Sequence, residues 1–307
     1  MKTLFLFCAL VVSTINLTYS QCACCAAAGA CSSNGDNSSG VLTLSKKQVV
    51  VEAFGEYRTI QNGSAPEEDE KLLKNMTIGS LGIRYGLSDK ITISALLPYI
   101  FLHTNYGDDK GIGDLIVSGT FDVYSKNYFS LAFKAGVKLP TGVQKSSNFD
   151  NTTVVVGSGS YDPIASILFS KRWNKIAMQG SVLYKYATPG FRNNYYGSLS
   201  TQNVSLSYRI KGESIVCSSD SLKMKTATDF GWSVFGGYTG EWSDKLKEDD
   251  VADDNSGGYT GFINLGTNFS LEKWSLPITV SFPIINKMNG LQNPQGVRFR
   301  IGLVRTF

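Results

Sequence analysis

The sequence predicts one all-β unit: an up-and-down antiparallel barrel of about twelve strands that crosses a membrane. Three observations carry that expectation. Apolar residues recur at every second position in one segment after another. The links between segments alternate between short and long. Aromatic residues, among them Tyr85, Tyr99, Phe101, Phe129, Tyr186, Tyr208, Trp232, Trp274 and Phe307, gather near segment ends, as the girdles of a membrane barrel do. A soluble β-sandwich also alternates apolar and polar positions, but nothing requires its turns to alternate in length around the whole chain.

Length and composition agree. The chain has 307 residues, 31 of them glycine, with 18% charged and 12% aromatic side chains. A net charge of +4 is too mild to argue for nucleic acid as a partner. After residue 20 no window approaches the roughly eighteen consecutive apolar residues of a membrane helix. Mean hydropathy is near neutral, because every second residue of a barrel strand faces the lumen.

Residues 1–20 read as a secretory signal, with Lys2 as the positive end, Leu4 to Val12 as the apolar core and Thr18, Tyr19 and Ser20 before the cleavage point. Residues 21–40 are small, polar and cysteine-rich, and are expected to form a periplasmic N-terminal extension. The barrel is assigned to 41–307. Its first strand carries Val49, Val51, Ala53 and Tyr57 on one face, with Glu52, Glu56 and Arg58 on the other. An acidic loop, Glu67 to Glu70, leads to Thr77, Leu81, Ile83 and Tyr85, then a tight turn at Leu87 to Lys90. Ile91, Ile93, Ala95, Leu97, Tyr99 and Phe101 form the third strand, in which Pro98 removes one ladder donor. Leu115, Val117, Phe121 and Val123 give the fourth; Phe129, Leu131, Phe133, Ala135, Val137 and Leu139 the fifth; Tyr161 to Arg172 the sixth. The later strands centre on Ile176 to Tyr186, Val204 to Ile210, Phe230 to Tyr238, Ile263 to Leu271 and Trp274 to Ile284, and the last runs from Val297 to Phe307. The stretch Lys211 to Asp229 is too long for a periplasmic turn, and marks either an elaboration or a missed hairpin. An even strand number puts both termini in the periplasm of a cell outer membrane.

Two resemblances attach to particular residues. Phe299, Ile301, Leu303 and the terminal Phe307 resemble the C-terminal assembly signal of bacterial outer-membrane barrels, from which Arg305 departs. The order of Gly111-Ile112-Gly113-Asp114-Leu115, Lys138-Leu139-Pro140-Thr141-Gly142 and Gly157-Ser158-Gly159-Ser160-Tyr161-Asp162-Pro163 resembles the outer-membrane transporter family named for the meta-pathway of phenol degradation. That resemblance covers roughly residues 75 to 307 and implies a transporter, with hydrophobic or aromatic molecules as its substrates. The individual motif residues also read as barrel punctuation, Gly permitting tight strand starts and Pro140 ending ladder pairing.

The predicted lumen face carries Glu52, Glu56, Asp114, Asp122 and Glu241 against Arg58, Arg84, Lys134, Lys138, Lys185, Arg209, Arg298 and Arg300. Twelve strands fall between small filled barrels and open porins, so these charges can line a pore or fill one. Cys22, Cys24, Cys25 and Cys31 could form disulfides or an inert tether, hold zinc or copper through four thiolates, or carry a lipid, the last disfavoured because Tyr19-Ser20-Gln21 before Cys22 does not match a lipobox; no other cofactor is indicated. The sequence therefore points to an outer-membrane channel or transporter for small molecules, with a metal-linked protein or a filled structural barrel as alternatives. Outer-membrane lipid, lipopolysaccharide and the barrel-assembly machinery are its expected partners. An enzyme is not expected. His103, the single histidine, stands near the predicted rim as in the twelve-stranded outer-membrane phospholipases, but Asn105 occupies the position where their nucleophilic Ser would stand.

Overall fold

The computed structural model describes residues 43–61, 73–104, 107–142, 156–212 and 230–307. These form fifteen strands: β1 (Val49–Ile60), β2 (Leu73–Ser88), β3 (Ile91–Thr104), β4 (Gly107–Ile112), β5 (Leu115–Lys126), β6 (Phe129–Leu139), β7 (Asp162–Trp173), β8 (Ile176–Lys185), β9 (Leu199–Lys211), β10 (Gly231–Ser243), β11 (Lys247–Glu248), β12 (Val251–Ala252), β13 (Gly258–Leu271), β14 (Trp274–Met288) and β15 (Gln295–Thr306). Each long strand pairs antiparallel with its neighbours in sequence, β1 pairs with β15, and β2 pairs with β3. The sheet is thus closed, with only the short β4 paired on a single side among the described residues, and closure is what removes unpaired backbone groups from a lipid environment. β4 and β5 both pair with β3 and make one stave broken at Gly113–Asp114, while β11 and β12 form a hairpin outside the wall, so the barrel has twelve staves. The break faces Pro98, whose carbonyl accepts from the Gly113 N–H at 2.9 Å. The stretch Gly107–Ile112, between the third and fourth strands read from the sequence, extends the β3 hairpin, because the ladder from Tyr99 to Thr104 continues beyond the proline.

The phase of the long strands matches the alternation wherever the sequence defines one. Leu81, Val123, Ile167, Val182, Leu206, Leu265 and Ile284 all point outward with half or more of their surface exposed, whereas Val50, Ile78, Ile100, Ile116, Ile164 and Leu183 are buried inside. An outer surface this apolar is at its lowest free energy in hydrocarbon. Exposed Tyr85, Tyr128, Trp173, Tyr208, Trp232, Trp274 and Phe307 ring the end that holds the termini; Tyr57, Phe101, Tyr161, Tyr186 and Trp242 ring the other.

The end holding the termini has turns of two residues at 89–90, 127–128, 174–175 and 272–273, and the far end has the long connections. Asn127 and Tyr128 both take positive φ, 52° and 59°, the two-residue turn whose twist matches the strands it joins. β9 pairs directly with β10, so no hairpin is missing from the wall; residues 213–229, which held the length anomaly, lie outside the described residues. At the far end the 186–198 connection contains a 3-10 turn, Phe191–Asn193, and is tied to the loop after β10 by a bridge between Tyr195 and Lys247.

Residues 43–48 fold against the mouth at the terminal end. Leu44 packs with Val50, Phe54 and Val304 inside the barrel, and its N–H donates to Thr92 Oγ1 at 2.7 Å. Lys47 N–H donates to the Gly86 carbonyl and Gly86 N–H to the Gln48 carbonyl. A Cβ on Gly86 would stand 2.0 Å from the Ser45 carbonyl oxygen. Gly86→Ala is therefore expected to dislodge the segment with the loss of two hydrogen bonds, about 2 kcal/mol in all, read as a lower urea midpoint of the refolded barrel.

Candidate site in the lumen

Two networks of buried charge occupy the far-end half of the barrel interior. The first is built by the three glycine-containing motifs. Asp114 sits at the break between β4 and β5, Lys138 next to the end of β6, Asp162 at the start of β7 and Lys185 at the end of β8, and all four side chains have no solvent exposure. Lys138 Nζ lies 2.7 Å from Asp162 Oδ2 and 3.2 Å from Asp114 Oδ2; Lys185 Nζ lies 3.4 Å from Asp162 Oδ2. Lys138 also contacts Ser158 Oγ and donates to Ser160 Oγ at 3.2 Å. Asp114 accepts from the Gly142 N–H at 2.9 Å and from the Ser158 N–H and hydroxyl at 2.8 and 2.6 Å. Asp162 accepts from the Thr188 N–H at 2.9 Å.

The glycines make this convergence sterically possible. A Cβ on Gly142 would be 2.5 Å from the Gly157 Cα and 2.7 Å from Asp114 Oδ1, and one on Gly113 would be 2.9 Å from Pro98 Cγ. The reading of these residues as punctuation is therefore incomplete: they bring two carboxylates, two ammonium groups and two hydroxyls together. Residues 156–160 enter the barrel with them, and Val156 packs on Met76, Ile78, Ile100 and Leu102, the inward side chains of β2 and β3.

The second network spans the lumen. Arg298 on β15 makes a bidentate pair with Glu241 on β10, both N···O distances being 2.7 Å, and two strands of the wall, β13 and β14, lie between them. The same guanidinium stacks on Phe262 at 3.8 Å. Glu56 pairs with Arg58 and lies 3.7 Å from Arg300 Nε, and Arg300 stacks over Phe54 at 4.7 Å. Nearer the terminal end, Arg84 reaches Glu52 at 3.4 Å. Charges removed from water to this degree need partners, and here pairing and hydrogen bonding supply them.

Of the lumen residues inferred from the sequence, Glu52, Glu56, Arg58, Arg84, Asp114, Lys138, Lys185, Glu241, Arg298 and Arg300 take part in these pairs. Asp122, Lys134 and Arg209 are half-buried elsewhere; the Asp122 carboxylate accepts from the Ser125 hydroxyl at 2.6 Å. Asp114 is not a strand residue, as a place on the alternating face would require, but holds the break in the wall. Asp162, Ser158 and Ser160 were not among the inferred lumen residues. The signal was weak because β7 has apolar residues on both faces, Ile164 and Leu168 inward against Ile167 and Phe169 outward, so alternation alone does not give its phase.

The networks do not look like a catalytic centre. Lys138 is engaged by two carboxylates and Ser158 donates to Asp114, so this Ser–Lys contact lacks the free base that activates a nucleophile. His103 Nδ1 is 2.8 Å from Asp108 at the far rim. Cys22, Cys24, Cys25 and Cys31 lie outside the described residues, and among the described residues no three metal-binding side chains cluster. Arg305, which breaks the pattern of the terminal strand, points outward and stacks between Trp274 at 4.8 Å and Phe307 at 4.6 Å, a cation held by the aromatic ring of the barrel end. Phe307 itself closes the seam by donating its N–H to the Val49 carbonyl at 2.8 Å.

A closed twelve-stave wall, apolar outside and charged inside, defines a transmembrane β-barrel of the bacterial outer-membrane type. No family model matches the chain, and no curated protein does. Among solved structures it is similar to the COG4313 outer membrane channel of Pseudomonas putida F1, with 18% identity over 86% of this chain and 97% of that one and a TM-score of 0.60. The translocator domain of the autotransporter NalP of Neisseria meningitidis matches at 11% identity, 92% and 94% coverage and a TM-score of 0.48. The KdgM porin matches at 12%, 84% and 99%, with a TM-score of 0.42. At these identities the likeness is one of fold.

Proposed function

We propose that this protein is an outer-membrane channel for small molecules whose lumen is held shut, in the conformation described, by paired charges and the inserted segment 156–160. The observation that carries the reading is the Arg298–Glu241 pair across the lumen. A barrel filled for structure alone gains more from apolar packing than from buried ion pairs, whereas a pair that bridges staves inside the lumen can part and be rehydrated. The fold shared with an outer membrane channel supports it. The short turns at the terminal end support a periplasmic position for that end, and Phe299, Ile301, Leu303 and Phe307 resemble the signal that the assembly machinery reads. The resemblance to the phenol meta-pathway family makes hydrophobic or aromatic molecules the substrates to try first.

Planar-bilayer recording of the refolded mature chain tests the proposal. Brief stepwise openings in the wild type, lengthened when either network is broken, are the expected result. Silence in the wild type and in Glu241 and Lys138 variants that still fold would leave a filled structural barrel as the better description. The same recordings with residues 21–40 removed test the cysteine segment, and unchanged currents with and without zinc would end a metal-linked role in gating.

A further inference from the structure

On the outer wall, where β1, β2, β3 and β15 meet, lies an apolar groove of about 670 Å³. Strand register explains its shape. Gly55 on β1 pairs with Gly79 on β2, and this double-glycine floor is flanked by Ile301 on β15 and Tyr99 on β3. In the adjoining row Ala53 is flanked by Leu303 on one side and by Leu81, then Leu97, on the other. Tyr57 stands at one end of the trench and Val51 at the other.

The two glycines are not required by the barrel itself. A Cβ on Gly55 would meet nothing nearer than Ile301 Cγ2 at 3.9 Å, and one on Gly79 nothing nearer than the Tyr99 carbonyl at 3.9 Å. Neither has positive φ. Several other wall glycines answer to close neighbours: a Cβ on Gly266 would be 2.2 Å from Phe235, and one on Gly136 2.5 Å from the Val117 carbonyl, whereas Gly236, with nothing nearer than 3.5 Å, has no second glycine beside it in register. A strand-interior glycine weakens its strand, and where neither bend nor packing needs it, it marks the close approach of something else.

We infer that the groove seats one acyl chain of a phospholipid as a bound, ordered lipid rather than a passing one. The walls are hydrocarbon and aromatic, the floor is about two strands wide at roughly 4.8 Å per strand, and the groove is continuous with the apolar belt that meets the bilayer. A methylene takes about the volume of a water molecule, roughly 30 Å³, so the space suits on the order of twenty carbons. The trench runs from Val51 to Tyr57 over the middle of β1, and its Val51 end lies two residues from Val49. An acyl chain can enter from that end, and with the termini in the periplasm, as proposed above, the leaflet there holds phospholipid instead of lipopolysaccharide.

Native mass spectrometry of the barrel extracted from membranes in a mild detergent tests the inference. The expected spectrum shows one phospholipid per chain, reduced roughly tenfold in Gly55→Leu and Gly79→Leu, whose side chains occupy the trench and deny the lipid a few methylene contacts. Gly55→Ala and Gly79→Ala, which fit the wall, keep the barrel folded if the larger residues do not, and are expected to give a partial loss. Val182→Phe, on β8 across the barrel from the groove, should change nothing. A wild type carrying no lipid, equal retention in the filled variants, lipid A in place of phospholipid, or a dimer that the filled variants make monomeric would each overturn it. None of these readings depends on channel activity, so silence in a bilayer recording leaves the test intact.

Discussion

Glu241→Ala is expected to destabilise the refolded barrel by about 3 kcal/mol, the lower end of the range for breaking a buried ion pair, and to lengthen its open time in a planar bilayer. The Arg298 guanidinium would keep its place over Phe262 but lose both carboxylate oxygens, each now at 2.7 Å. Its remaining carboxylate neighbour, Glu56, is already engaged with Arg58 and close to Arg300. A guanidinium left in that position draws in water, and water entering the chord of the lumen is the start of a conducting path. The double variant Glu241→Leu with Arg298→Met separates the two effects. Replacing both partners by apolar groups restores stability to near the wild-type value or above it, while the lumen should stay shut. A urea titration followed by gel mobility reads the stability, and single-channel recording reads the opening. Equal stability of wild type and Glu241→Ala would show that the pair contributes nothing, and would remove the basis for a charge-held closure.

Lys138→Met should have the larger effect. It keeps most of the stem but leaves Asp114 and Asp162, both without solvent exposure, facing each other across the space that the ammonium fills. Lys185 lies 3.4 Å from Asp162 and offsets part of that charge. The expected cost is about 3–5 kcal/mol, with release of the segment 156–160 from its seat on Met76, Ile78, Ile100 and Leu102. Adding Asp162→Asn to Lys138→Met removes one of the two stranded charges and should recover part of the loss. Recovery would assign the effect to electrostatics; no recovery would assign it to the packing of the Lys138 stem.

Most of the wall was legible in the chain. Alternation with a period of two places Val51, Leu81, Ile93 and Leu303 on one face without reference to any other strand, and short turns such as Asn127–Tyr128 are local chemistry. The strand count, the closure of the last strand on the first and the alternation of connection lengths all follow from such local facts plus the rule that no edge may face lipid. β7 is the instructive exception. With apolar residues on both faces its phase was ambiguous, and the consequence was that Asp162, the hub of the first network, went unrecognised.

Sequence by itself determined that this chain builds a membrane barrel, where its staves run and which charges turn inward, because strand phase and turn type are set by residues a few positions apart. Tertiary structure alone decided which of those charges meet. Arg298 and Glu241 are 57 residues apart, Ser158 and Asp114 are 44 apart, and the break at Gly113–Asp114 lets the inserted segment reach the wall. Pairing across a lumen depends on the shear and diameter of the closed sheet, which no single strand encodes. The same holds for the trench over Gly55 and Gly79. Each glycine is ordinary in its own strand, and only the register that sets them side by side makes a groove.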